Sequence, residues 1–182
     1  MIEVEIRSIV KDAVALESLL RKKCVFAKEK HQVDEYFLHP CRDFYANPEM
    51  FEYLRIRSDP KVSFEYMKCH RKNGIKTHTE EFETDIKDPV ILKEILLYLG
   101  FKSLAVVEKN RKYFDFKDFE FCLDSIKGLG FFLEVEAKKD LGGIDKTKQA
   151  CIDVLKELCI EFIPTPEKGY PDMVIENARK RT

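Results

Sequence analysis

Residues 1–9 read MIEVEIRSI, and residues 130–138 read GFFLEVEAK. Each stretch carries two glutamates two residues apart, with a base two further on: Glu3, Glu5 and Arg7, then Glu134, Glu136 and Lys138. Apolar residues fill the positions between: Ile2, Val4 and Ile6 in the first, Leu133, Val135 and Ala137 in the second. A period of two is the pattern of a β-strand with one charged and one apolar face. One such face alone would ordinarily sit in water. Here the pattern recurs. Arg55/Arg57, Glu81/Glu83 and Lys109/Arg111 alternate in the same way.

The rest of the chain supplies the other elements of an antiparallel fold. Strand patterns run over 1–9, 25–39, YLRIR (53–57), VSFEYMK (62–68), the stretch after Asn73-Gly74, and about 103–115, 119–126 and 131–138. Asn73-Gly74 is a hairpin signal. Residues 12–23 read as a helix capped by Asp12, with basic residues in its last turn. Asp88-Pro89 opens a second helix, with Leu92, Ile95, Leu96 and Leu99 on one stripe and Gly100 after its end. A third runs over roughly 145–158, and a short one begins at Pro171. A looser echo links 3–37 with 81–114, each ending in a charged residue followed by Tyr-Phe. Three helices with apolar stripes can cover the apolar strand faces. If the sheet curls into a barrel, the charged faces then point inward.

Bulk properties narrow the setting. At 182 residues the chain is expected to form one domain, 1–182. Charged residues reach 36%, well above the usual quarter, yet 32 Lys+Arg nearly cancel 33 Asp+Glu. Net charge therefore selects no partner class. The six cysteines form no CxxC pair and read as free, mostly buried thiols in a reduced compartment. Glu3, Glu5 and Arg7 interrupt any apolar start, so no signal peptide is expected, and no apolar run approaches the roughly 18 residues of a membrane span. A cytoplasmic protein with no membrane partner is expected. HRKNGIK (70–76) reads as a solvated hairpin, so a nucleic-acid partner is not expected either. The histidines (31, 39, 70, 78) have no HExxH spacing and read as scattered surface residues.

Charged faces gathered in one site would have definite chemistry. Carboxylates two apart on one face repel unless a cation lies between them. Hard divalent cations such as Mg²⁺ or Mn²⁺ take carboxylate oxygens. Arginines and lysines opposite suit phosphate oxygens, and Arg binds them in bidentate fashion. Metal bridging carboxylates and phosphates is the recurring arrangement for phosphoryl transfer.

The ordered series resembles the CYTH domain, the triphosphate tunnel metalloenzyme family. It comprises Glu3/Glu5/Arg7, QVDEYF (Gln32, Asp34, Tyr36, Phe37), LRIR (Arg55, Arg57), Lys68, Glu81/Glu83, Lys109/Arg111 and LDSIKGLGFFLEVE (Asp124 to Glu136). It spans roughly residues 1–140. The resemblance implies an α+β fold: a closed eight-stranded antiparallel β-barrel, the tunnel, with helices packed outside. It implies a metal set of Glu3, Glu5, Glu134 and Glu136 with Asp124 assisting, and Glu81 and Glu83 as further acids. Arg7, Arg55, Arg57, Lys68, Lys109 and Arg111 would bind phosphate, and Tyr36, Arg7 and Lys109 would act at the reacting group. The cofactor would be Mg²⁺ or Mn²⁺, and the partner a triphosphate-containing small molecule such as ATP. The family also suggests a homodimer. Two positions depart from its pattern. Arg7 replaces the usual lysine, and Thr79, with His78 beside it, stands where a base often precedes the central acids.

Length and the compact LDSIKGLGFFLEVE segment place the chain nearest the class IV adenylyl cyclases, which convert ATP to cyclic AMP and pyrophosphate. A triphosphatase acting on inorganic triphosphate, thiamine triphosphate or a nucleotide is the alternative. A non-catalytic polyphosphate- or nucleotide-binding module is the third reading.

Overall fold

A computed structural model of the chain describes residues 2–59 and 61–180. Met1 of the first expected strand, Pro60 of the turn before VSFEYMK and the last two residues of the expected domain lie outside these. The described elements are, in order, β1 (Ile2–Glu3), β2 (Glu5–Val10), α1 (Ala13–Lys23), β3 (Val25–Leu38), β4 (Met50–Ser58), β5 (Val62–Lys72), β6 (Ile75–Asp85), α2 (Pro89–Tyr98), β7 (Lys102–Phe116), β8 (Phe119–Ile126), β9 (Gly130–Ala137), α3 (Ile144–Glu157) and α4 (Tyr170–Arg179).

The class is α+β, as the sequence predicts. The strands hydrogen-bond in the order β1-β6-β5-β4-β3-β7-β8-β9-β2. The order ends on β2, which continues β1 after Val4 alone. The two ends of the order are therefore neighbouring segments of the chain. The same break accounts for nine strands where eight are expected.

The local signals act as expected. Asp12 Oδ1 accepts from the Ala15 N–H at 2.9 Å, and Asp88 Oδ1 from Ile91 N–H at 2.9 Å. Each satisfies a donor that a helix start leaves unpaired. Asn73 (φ 54°) and Gly74 (φ 78°) both take positive φ between β5 and β6, the requirement of a two-residue type I′ turn. Gly100 ends α2 at φ 88°, where an added Cβ would also press on Pro40 at 3.2 Å.

The chain divides into two compact units. One comprises 1–2, 32–108 and 167–182; the other comprises 3–31 and 109–166. In the second, β2 pairs β9, β9 pairs β8 and β8 pairs β7, all antiparallel. One face of this ladder is apolar. Ile6, Phe114, Phe121, Leu123, Leu133 and Val135 pack with Leu20 of α1 and with Cys151, Val154 and Leu155 of α3. Burying each such large side chain contributes about 1.5–3 kcal/mol. The stripe of α3 therefore pins that face, and alternation sends Arg7, Glu134 and Glu136 to the other.

In the first unit β4 pairs β3 and β5, and β5 pairs β6. Its apolar face joins Phe37, Leu54 and Ile56 to Leu96 of α2 and to Phe44, with Phe64 and Tyr66 beside them. On the other side α4 is anchored through Asp172, which accepts from the hydroxyls of Tyr53 (2.7 Å) and Tyr45 (2.9 Å).

The cysteines are all free. Cys122 and Cys151 are buried, Cys24 and Cys69 half-buried, and Cys41 and Cys159 exposed, so the expectation of mostly buried thiols is corrected. Burial pushes the Cys151 thiol up to about 12. Among the described residues, no helix is long and apolar enough to cross a membrane.

Candidate active site

In the second unit, register decides which charges meet. Arg7 lies opposite Glu134 on the β2–β9 ladder, and Glu5 lies opposite Glu136. Arg7 Nε donates to Glu134 Oε1 at 2.8 Å. From β7, Arg111 Nε donates to Asp124 Oδ1 at 2.6 Å, while its Nη2 reaches Glu134 Oε2. Lys109 Nζ stands 4.0 Å from Asp124 Oδ2. Asp124, Lys109 and Glu134 are all buried. Burial pushes the Glu134 carboxyl up, but Arg111, Arg7 and Lys109 together outweigh it and hold it well below the usual carboxylate range.

The predicted metal set is thus split. Glu134 and Asp124 are engaged by guanidinium and ammonium groups. Glu5 and Glu136 form a carboxylate row, and Glu120 of β8, opposite Glu136, extends it. Glu3, half-buried, stands two residues ahead of Glu5 on β1. Like carboxylates in adjacent register favour a bound cation, and their oxygens suit a hard one.

The first unit holds a second charged cluster. Asp34 of β3 takes a bidentate pair from Arg57, at 2.8 Å from Nε and 3.1 Å from Nη2. Arg55 Nε donates to Glu65 Oε2 at 2.7 Å and Arg55 Nη1 to the Tyr36 hydroxyl at 3.0 Å. Ser63 Oγ donates to Glu65 Oε1 at 2.6 Å, and Arg57 Nη1 lies 3.4 Å from the same oxygen. Asp34 and Glu65 are essentially inaccessible, at 1% and 0% exposure, so their charges persist only because the arginines neutralise them. Burial pushes Glu65 up, but Arg55 and Arg57 override it and its carboxyl titrates below the usual range. Burial pushes the Tyr36 phenol up against the pull of Arg55, so it is a hydrogen-bonding group rather than a ready base. Glu81 reaches Arg55 Nη2 at 3.4 Å, whereas Glu83, opposite Glu65, is exposed.

Lys68 is a correction. On β5, Ser63, Glu65 and Met67 share the cluster face, so Lys68 falls on the other, in register with Glu52 and Glu80. Its Nζ lies 5.8 Å from the Phe82 ring centroid. Thr79 is buried on the cluster face opposite Cys69, while His78 faces the other way and so does not replace the base missing at Thr79.

Three acids escaped the sequence reading as site residues. Asp34 was visible in QVDEYF without a role. Glu65 was legible in VSFEYMK, where Ser63 and Glu65 alternate with Phe64 and Tyr66. Glu120 was legible in FEFCLD, two residues before Cys122 and four before Asp124.

Comparison with known proteins follows the same residues. The CYTH domain family model matches residues 1–163, which takes in parts of both units. A Methanocaldococcus jannaschii protein named "Putative adenylate cyclase MJ0240" is 34% identical over 175 residues, covering 95% of this chain and 98% of its own. The structure of the PH1819 protein of Pyrococcus horikoshii aligns with a TM-score of 0.79 at 27% identity, over 96% of this chain and 98% of that one. A Hippeastrum protein, for which a dominant triphosphatase activity is reported, shares the fold at TM-score 0.62 and 19% identity, over 97% of this chain and 95% of its own. Acids and bases in this register, on a chain matched by the family model along most of its length, lead to one assignment: the chain belongs to the CYTH domain family.

Proposed function

We propose that the protein is a divalent-metal-dependent enzyme that converts ATP to cyclic AMP and pyrophosphate. The observation that carries this is the β2–β9 register, which sets Glu5 against Glu136 and Arg7 against Glu134. It places a row of hard oxygen donors next to a row in which guanidinium groups are held by carboxylates.

Glu3, Glu5 and Glu136 would hold Mg²⁺ or Mn²⁺, with Glu120 beside them. The metal, when bound, neutralises phosphate charge and lowers the pKa of a coordinated hydroxyl. Arg7, Arg111 and Lys109 would bind phosphate oxygens beside this row, and Arg55 and Arg57 offer the same donor chemistry within their own unit. These bases rest on Glu134, Asp124, Asp34 and Glu65, which keeps them extended and charged. Binding exchanges some of these carboxylate contacts for phosphate oxygens, which match the same fork of donors. Exchange by Arg7 and Arg111 would release Glu134 toward the cation. Tyr36 orients Arg55 through its hydroxyl rather than taking a proton. In the reaction the ribose 3′-oxygen attacks the α-phosphorus, forming the cyclic ester bond, and releases its proton to solvent water. The bond from that phosphorus to the bridging oxygen breaks, and pyrophosphate leaves with its charge held by the bases.

Triphosphate hydrolysis is the second reading, favoured by the activity reported for the Hippeastrum relative. The same residues serve it, with water as nucleophile at the terminal phosphorus. We place the activity in one catalytic domain in the cytoplasm; the free thiols support a reduced compartment. Incubation with ATP and Mg²⁺ or Mn²⁺, with products separated, tests the proposal. Cyclic AMP with equimolar pyrophosphate is expected. Orthophosphate alone would establish hydrolysis, and binding without product would overturn both.

A further inference from the structure

We propose that His70, His78 and Glu80 form a separate site for a borderline divalent transition metal, of which zinc is the type. It lies on the face of β5 and β6 opposite the arginine–carboxylate cluster. This inference stands independently of the triphosphate chemistry.

The hairpin brings these residues together although eight positions separate the histidines in sequence. His70 and His78 are direct partners in the β5–β6 ladder, and Glu80 follows His78 on the same face. Their neighbours Cys69 and Thr79 pair with one another on the cluster side. The imidazole rings stack at 4.4 Å between centroids, 2° from parallel. His70 Nε2 lies 2.6 Å from Glu80 Oε1. One ligating atom from each of the three residues lies within 4.8 Å of the other two. The sequence expectation of scattered surface histidines is therefore corrected for this pair.

The donor set selects the cation. Two imidazoles and one carboxylate suit zinc and its neighbours, whereas magnesium and calcium take all-oxygen shells. Three protein ligands leave a fourth tetrahedral position open. The side chains of His70 and Glu80 are 28% and 34% exposed, so water reaches that position.

Thr77 sets the tautomer. Its hydroxyl donates to the His70 carbonyl at 3.1 Å, which uses its only proton. The same oxygen lies 3.1 Å from His78 Nδ1 and must accept there. The proton of His78 is then on Nδ1, and the Nε2 lone pair is the ligand. A partner of this kind on the far nitrogen is the usual support of a metal-bound imidazole.

A tetrahedral metal with bonds of about 2.0–2.1 Å holds its ligand atoms roughly 3.3–3.4 Å apart, so His70 Nε2 and Glu80 Oε1 would open from their 2.6 Å contact and the rings would tilt out of their parallel stack. The ladder shifts register between His70 and Arg71, so the backbone there is already irregular.

The test is a zinc titration of the whole protein in excess Mg²⁺, followed through the imidazole nitrogen signals in long-range ¹H–¹⁵N spectra. The His70 and His78 signals are expected to move together and saturate at one zinc per chain, with His31 and His39 unmoved. His78→Ala and Glu80→Gln should weaken binding at least about ten-fold, and Thr77→Ala about ten-fold with rescue by Thr77→Ser. Glu136→Gln, in the other cluster, should leave zinc affinity unchanged. Thermal unfolding of each variant without zinc checks that it folds. Four histidines responding alike would overturn the site. So would unmoved His70 and His78 signals, or wild-type affinity in folded His78→Ala.

Discussion

Glu5 and Glu136 stand directly opposite each other on antiparallel β2 and β9, with Glu120 opposite Glu136 on β8. Three carboxylates thus occupy one row across three strands. Such a row gains most from a cation that binds the folded state alone. Mn²⁺ at about a hundred times its Kd would add about 2.7 kcal/mol to wild-type stability. Glu136→Gln is expected to lose most of that increment and the metal-dependent turnover with it. Thermal unfolding in Mn²⁺ against chelator is the measurement; equal shifts in variant and wild type would remove Glu136 from the metal set.

Lys68 and Arg111 offer a contrast the structure makes sharp. Lys68 lies on the face of β5 away from the cluster, while Arg111 bridges Asp124 and Glu134. Arg111→Ala is expected to reduce kcat/KM by about 100-fold or more, the scale of losing a preorganised charge donor. Lys68→Ala should stay within about two-fold of wild type, since it touches none of that network. A large loss in Lys68→Ala would show that β5 presents its other face to substrate.

Glu65 is buried between two arginines. Removing its charge leaves Arg55 and Arg57 with Asp34 as their remaining buried carboxylate. Glu65→Leu is expected to destabilise the protein by about 3–5 kcal/mol, as for other broken buried ion pairs. Glu65→Gln, which keeps the shape and the acceptor, should cost less. Urea denaturation with unchanged slope would quantify both.

Acid should expose the same pairs. The carboxyls of Glu134 and Glu65 titrate, when folded, below their unfolded value of 4.5. Below 4.5 the unfolded chain therefore takes up protons that the folded chain refuses. The stability from these groups is complete above pH 4.5 and is lost as pH falls through the folded values. Glu134→Gln should be less stable than wild type at neutral pH, with the gap narrowing as pH drops below 4.5. Equilibrium unfolding at a series of pH values checks the slope; a gap constant with pH would mean that Glu134 gains no stability from its bases.

Much of this was legible before any coordinates. Alternation in EVEIR, LRIR and EVEA identified residues sharing a strand face, and that is local geometry set by the pleat. Caps at Asp12 and Asp88 and the turn at Asn73-Gly74 were equally local. Lys68 shows where resemblance and local pattern part. It enters the site only through the family resemblance, whereas alternation puts it on the row of Phe64 and Tyr66, which pack against Phe44 and Leu96. Glu65 and Glu120 were passed over for the converse reason, each being a single acid among apolar neighbours.

The sequence by itself determined the α+β class, the strands and which side chains share a face, because those follow from periodicity and capping within a few residues. Tertiary structure decided who faces whom. That Arg7 meets Glu134 while Glu5 meets Glu136 is a matter of register across strands some 130 positions apart. Even the pairing of His70 with His78 across one hairpin depends on where the register shifts beside Arg71. Pairing of this kind is set by packing of the whole apolar face against its helices, and no short stretch of sequence contains it.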